Sequence, residues 1–151
     1  MTIIYIMNSR LDEKLLRLKA KKYVNNLHGV ADISMNMESD FTFDWHKKCL
    51  SKIWRDEEVP NYKLPISTEK DTVIKYFVNN IKISANVIAY ILFEGRLIIS
   101  FLIFDFESLL SSNMEWIKTY DISLLFLNPN RVIAINENEY DLTIFDIIDS
   151  K

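Results

Sequence analysis

A chain of 151 residues with 49% apolar, 26% charged and 13% aromatic residues has the composition of one folded domain, and excludes disorder and low-complexity linkers. The formal net charge of −3 excludes a strongly basic nucleic-acid binder, and the single cysteine, Cys49, excludes an internal disulfide and a two-cysteine metal site. The charge is unevenly spread: residues 1–55 carry ten Lys/Arg against six Asp/Glu (+4), and residues 56–151 carry eight against fifteen (−7).

The N-terminal stretch lacks the basic region and long apolar run of a secretory signal, and a lone cysteine suits a reducing compartment. Both point to a cytoplasmic protein. The run TIIYIM reads as a short strand. Residues 10–28 then read as an amphipathic helix, with Ser9 as its cap and Gly29 closing its C-terminus. Leu11, Leu15 and Leu18 repeat at helical spacing, with Leu16, Tyr23 and Leu27 beside them. A second helix is expected over 42–58, stopped by Pro60, with an apolar stripe of Trp45, Cys49, Ile53, Leu50 and Trp54. Val73, Ile74, Phe77, Val78 and Ile81 are spaced for a third helix over 69–80, with a strand as the competitor.

Residues 87–104 are apolar apart from Glu94, Gly95, Arg96 and Ser100. A membrane helix would place Glu94 and Arg96 near mid-span, at about 2.5–3.5 kcal/mol each. Glycine beside two charges signals a turn, so the stretch reads as strand 86–93, a turn at Glu94-Gly95, and strand 96–104. Apolar residues on both strand faces call for cover on both sides, which the helices around Trp45 and Val73 can supply. Residues 107–119 fit a short helix or an irregular crossover. A further hairpin, 122–127 and 131–136, turns at Asn128-Pro129-Asn130 with Pro129 in the second turn position. A last strand is expected over 140–147, with a short helix as the competitor. The fold class is α+β: N-terminal helices packed on one face of a mainly antiparallel sheet, with the 86–104 hairpin central.

The chemistry-bearing residues are few. His46 and Cys49 are three apart on one helix, but Cys49 shares the apolar stripe, which favours a buried thiol over a nucleophile. One cysteine and two histidines fall short of a zinc site. Gly29 and Gly95 are too far apart for a phosphate loop. Asp105/Glu107 and Glu137/Glu139 would share strand faces at i, i+2 spacing, yet solvated carboxylates are commoner than acid/base pairs. No catalytic residue, metal site or cofactor is expected, and the chain reads as a non-enzyme. The basic helix 10–22 supports an alternative as a nucleic-acid-binding regulator, which the acidic balance of the whole chain disfavours.

The segments FTFDWHKKCLSKIW and NVIAYILFEGRLIISFLIFDFE together resemble immunity proteins of bacterial contact-dependent growth inhibition, the polymorphic toxin systems. The likeness lies in an aromatic-led helix followed by a hydrophobic hairpin with a short charged turn, and spans residues 41–107. It implies a stoichiometric inhibitor that binds the C-terminal toxin domain, often a nuclease, delivered by a sibling cell, with no cofactor and no membrane partner. No binding residue carries over by position. Charge alone nominates Asp56, Glu57, Glu58, Glu137, Glu139 and Asp141 to face basic toxin residues.

Overall fold

A computed structural model of the chain describes residues 2–150, with side-chain surroundings from residue 10 onward. The elements in chain order are α1 (Thr2–Asn25), β1 (Val30–Met37), α2 (Asp44–Trp54), β2 (Tyr62–Pro65), α3 (Lys70–Asn80), β3 (Val87–Phe93), β4 (Leu97–Ile103), α4 (Phe106–Ile117), β5 (Ile122–Phe126), β6 (Arg131–Glu137) and β7 (Asp141–Ile148). All seven strands form one antiparallel sheet in the order β1-β4-β3-β5-β6-β7-β2. The fold is therefore α+β, with helices packed on the sheet.

The β3–β4 hairpin lies inside the sheet, flanked by β1 and β5. Its turn places Glu94 at φ 49° and Gly95 at φ 73°, the doubly positive pair that a primed turn requires. Alternation sends Leu97, Ile99, Phe101 and Ile103 into the main core, where Leu16, Ala20 and Tyr23 of α1, Val73 and Phe77 of α3, and Leu109 and Leu110 of α4 cover them. The opposite face is covered over its middle by α2 alone. Cys49, Leu50 and Ile53 pack there on Leu125, Val132, Ala134 and Phe145, with Tyr90, Leu92 and Ile98 alongside. Helices thus cover both faces rather than one, as two-sided apolar strands demand.

Several local expectations are corrected. TIIYIM is not a strand but the start of α1. The strong helix formers that follow nucleate a helix, and each further residue then adds a backbone bond at little cost. Ser9 lies inside that helix rather than at its N-cap position. Leu11, Leu15 and Leu18 are exposed, and the packed stripe is Leu16, Ala20, Tyr23, Val24 and Leu27. α2 is shorter than 42–58 because Asp56 takes a left-handed φ of 56° and turns the chain away. β1 and β2 had no counterpart among the expected strands. The stretch 107–119 is helical as far as Ile117 and leaves the helix at Lys118: Asp105 caps α4 by accepting the Ser108 amide at 3.2 Å and the Ser108 hydroxyl at 2.7 Å. These bonds hold the Asp105 carboxyl below its ordinary pKa. Asp105 and Glu107 therefore belong to a helix start. Glu137 ends β6 while Glu139 sits in the turn beyond it, so neither pair shares a strand face. The β5–β6 connection runs through a cis Asn128–Pro129 peptide, with Asn128 at φ 57°.

Gly29 ties the two ends of this architecture together. Its carbonyl accepts the amides of Phe104 (2.9 Å) and Asp105 (3.1 Å), so the α1–β1 connection seats directly on the start of α4. Across β6 and β7, Arg131 grips Asp146 with two bonds of 2.7 and 2.8 Å. Both side chains are less than one-fifth exposed, so solvent screens the pair only partly. Asp146→Asn is expected to cost about 1–2 kcal/mol. Urea denaturation checks this, and a loss that survives unchanged in high salt marks the pair as buried.

Candidate functional site

β3 and β5 meet through a single registered pair, Tyr90↔Leu125. Antiparallel continuation would oppose Leu92 to Ser123 and Phe93 to Ile122, but the ladder does not reach them. The seam between the two halves of the sheet therefore opens at this end. A cleft of about 500 Å³ occupies the opening, within the size range of ligand and anchor pockets. Ile91, Leu92 and Phe93 line one side of it, Ile122 and Ser123 the other. α1 and α4 add Tyr23, Trp116 and Ile117 from one face of the sheet. α2 adds Leu50, Ile53 and Trp54 from the other.

Two of the chain's three tryptophans thus line one cleft, and both face solvent: Trp54 is 65% and Trp116 44% exposed. Large aromatic side chains left in water forgo much of their burial free energy. Periodicity placed Trp54 in the buried stripe of α2. It instead lies past the point where the sheet seam has parted. Trp116 fell in the stretch left open between helix and crossover.

The interior of the cleft is fixed by a bonded chain. The Tyr23 hydroxyl donates to Asn113 Oδ1 at 2.6 Å, and Asn113 Nδ2 donates to the Asp121 carbonyl at 3.0 Å. Burial pushes the Tyr23 phenol far above its usual pKa, so it stays a neutral donor. Asp121 Oδ1 accepts the Glu137 amide at 2.7 Å, and Glu137 Oε2 accepts the Tyr120 amide at 2.8 Å. This reciprocal pair clamps the α4–β5 loop to the end of β6. Asp121 and Glu94 stand as exposed carboxylates on the cleft lining. Lys19 Nζ lies 3.8 Å from Glu94, with both side chains more than half exposed.

The six acidic residues nominated by charge fall in two places, just after α2 and around the β6–β7 connection. Asp56 is exposed just beyond Trp54, and Glu57 is exposed and paired with Arg55 at 3.0 Å. Glu58 is half-buried, in a groove with Cys49, Lys52 and Ile147. Glu137 is half-buried and engaged with the Tyr120 amide, Glu139 is exposed, and Asp141 is half-buried at the start of β7. Asp56 and Glu57 follow the cleft residue Trp54, and Glu137 follows the cleft residue Asn136. None of the six is among the residues that line the cleft.

Two of the groups with potential for covalent or acid/base chemistry, His46 and Cys49, are sequestered. His46 is fully buried, with Nε2 2.7 Å from the Phe126 carbonyl oxygen and Nδ1 without a hydrogen-bond partner. Cys49 is buried, and desolvation first, then the charge of Glu58, raises its thiol pKa. A raised thiol pKa works against thiolate chemistry. Among the described residues no group of His, Cys, Asp and Glu could hold a metal ion. No described helix is long and apolar enough to cross a membrane. On the basic helix, Arg17 bonds the Met35 carbonyl at 3.3 Å, and exposed leucines interrupt the remaining cations.

His46 carries a pH dependence. Burial lowers its pKa below the ordinary 6.5, while the Phe126 carbonyl bond pulls the other way. The unfolded chain then takes up the proton first as pH falls through about 6.5, so stability is full above that value and declines below it, toward the folded pKa. Urea midpoints should fall between about pH 7.5 and pH 5, and His46→Phe should flatten that part of the slope.

Comparison with known proteins identified no match: no family model, no curated protein and no solved structure is similar to the chain.

Proposed function

We propose that this chain is a non-catalytic immunity protein, which binds and neutralises the C-terminal toxin domain of a contact-dependent growth inhibition system in the cytoplasm. The observation that carries this reading is the seam cleft, where Trp54 and Trp116 are held in water with carboxylates beside them. Exposed tryptophans around a preformed concavity are the usual energetic centre of a protein interface. Acidic groups around them speed encounter with a basic partner such as a nuclease domain and select it. On this reading Asp56, Glu57 and Glu137 form the near rim, and Glu58, Glu139 and Asp141 extend the negative field. The burial of His46 and Cys49 favours binding over catalysis.

The regulator reading, with helix 10–22 on nucleic acid, is weaker. The exposed faces of that helix mix leucines with the cations, and a phosphate-binding surface has no use for such a stripe. The immunity reading requires a toxin domain as the product of the adjacent upstream gene, and the test is co-expression with that product. Restored growth is the expected outcome. Undiminished killing at matched expression would remove the proposal.

A further inference from the structure

The seam cleft combines features that together specify one kind of occupant. Its walls are mostly apolar and aromatic: Trp54, Trp116, Phe93 and Leu92. Glu94 and Asp121 contribute negative charge, and neither is buried. An apolar side chain would satisfy the walls but bring no cation to Glu94 and Asp121, whose present partners are Lys19 at 3.8 Å and the neutral Glu137 amide and Thr119 hydroxyl. A small cation would satisfy the carboxylates and leave the walls dry but empty. An arginine or lysine side chain satisfies both, because its aliphatic stem packs on apolar surface while its charged head meets carboxylates and aromatic faces. The chain's own Lys19 already approaches Glu94 at 3.8 Å from outside, so this part of the lining attracts a cation. That contact is solvent-exposed and readily displaced.

Building on the cleft as a protein-binding site, we propose that it receives a basic side chain, arginine above lysine, from an extended segment of the partner. Its guanidinium would lie against Trp54 and Trp116 and be held by Glu94 and Asp121. Arginine is favoured because its planar head both stacks on indole and bonds carboxylates in pairs. The parted edges of β3 and β5 add backbone groups outside the shared ladder, which an extended segment can engage.

The test uses the full chain and two capped tripeptides, acetyl-Gly-Arg-Gly-amide and its citrulline counterpart, which matches arginine in shape without the charge. The readout is the indole N–H resonances of Trp45, Trp54 and Trp116. Trp45 does not line the cleft and serves as the internal control. The arginine peptide should shift Trp54 and Trp116 saturably, with millimolar affinity, and leave Trp45 in place. The citrulline peptide and the Glu94→Gln and Asp121→Asn variants should bind about tenfold more weakly. Absence of saturable shifts, equal binding of the citrulline peptide, or shifts confined to Trp45 would each overturn the assignment. Growth protection is read separately. Peptide binding without protection counts against the immunity function alone, and protection without peptide binding counts against the arginine site alone.

Discussion

Gly29→Ala is expected to destabilise the fold by about 3–5 kcal/mol, lowering the urea midpoint steeply or preventing accumulation of folded protein. Two effects combine. Gly29 has φ +75°, a region that costs an L-residue about 1–2 kcal/mol. A Cβ there would also stand 2.1 Å from the Asp105 carbonyl oxygen. That oxygen belongs to backbone at the cap of α4, so relief requires moving the helix start away from the α1–β1 connection. The same movement would break the bonds from Phe104 and Asp105 to the Gly29 carbonyl. Gly95→Ala is the matched control. Its φ of +73° carries the same conformational cost, but an added Cβ meets nothing within 4 Å. About 1 kcal/mol is expected there. Equal losses at the two glycines would refute the close approach at Asp105.

Trp54→Ala and Trp116→Ala are expected to leave the fold stable and to weaken partner binding by about 2–4 kcal/mol each, or roughly 30- to 1,000-fold. Trp54 is mostly in water and Trp116 nearly half so, and neither belongs to the buried core, so truncation leaves no cavity there. Thermal or urea denaturation should move little, which separates these variants from core truncations such as Phe77→Ala, where burial is complete. The two tryptophans stand on elements packed against opposite faces of the sheet. Losses at both would show that the partner bridges the seam; a loss at one alone would confine it to one face.

The parts of this molecule legible in its sequence are those governed by local spacing. Glu94-Gly95 announced a turn because doubly positive φ suits few residue pairs, and the flanking β-branched runs had no other use. α3 followed from Val73, Ile74 and Phe77, whose spacing matches one helix face. The less legible parts depend on partners distant in the chain. β1 reads VADISMNM, and its pairing with β4 slips between Ala31 and Ser34, around Asp32 at φ 54°. That bulge removes the alternation by which a strand is recognised. β2 is four residues ending in proline, at the sheet edge, where a missing donor does no harm.

The candidate site was not legible in the sequence: the acids nominated by charge all lie outside the cleft lining, whose carboxylates are Glu94 and Asp121. Asp56, Glu57 and Glu137 were visible as acids, yet nothing local marks the seam beside them. The cleft exists because β3 and β5, some thirty residues apart, pair only once. The Tyr23–Asn113 bond inside it joins residues ninety apart. Trp54 has the spacing of a core residue, and only the geometry of the parted sheet leaves it in water.

The proposed interface is tested most directly by a calorimetric titration of the chain with the product of the adjacent upstream gene, repeated with Trp54→Ala. A 1:1 complex with a dissociation constant at or below about 100 nM is expected, weakened at least about 30-fold by the substitution. No heat of binding, or a complex indifferent to Trp54, would contradict it.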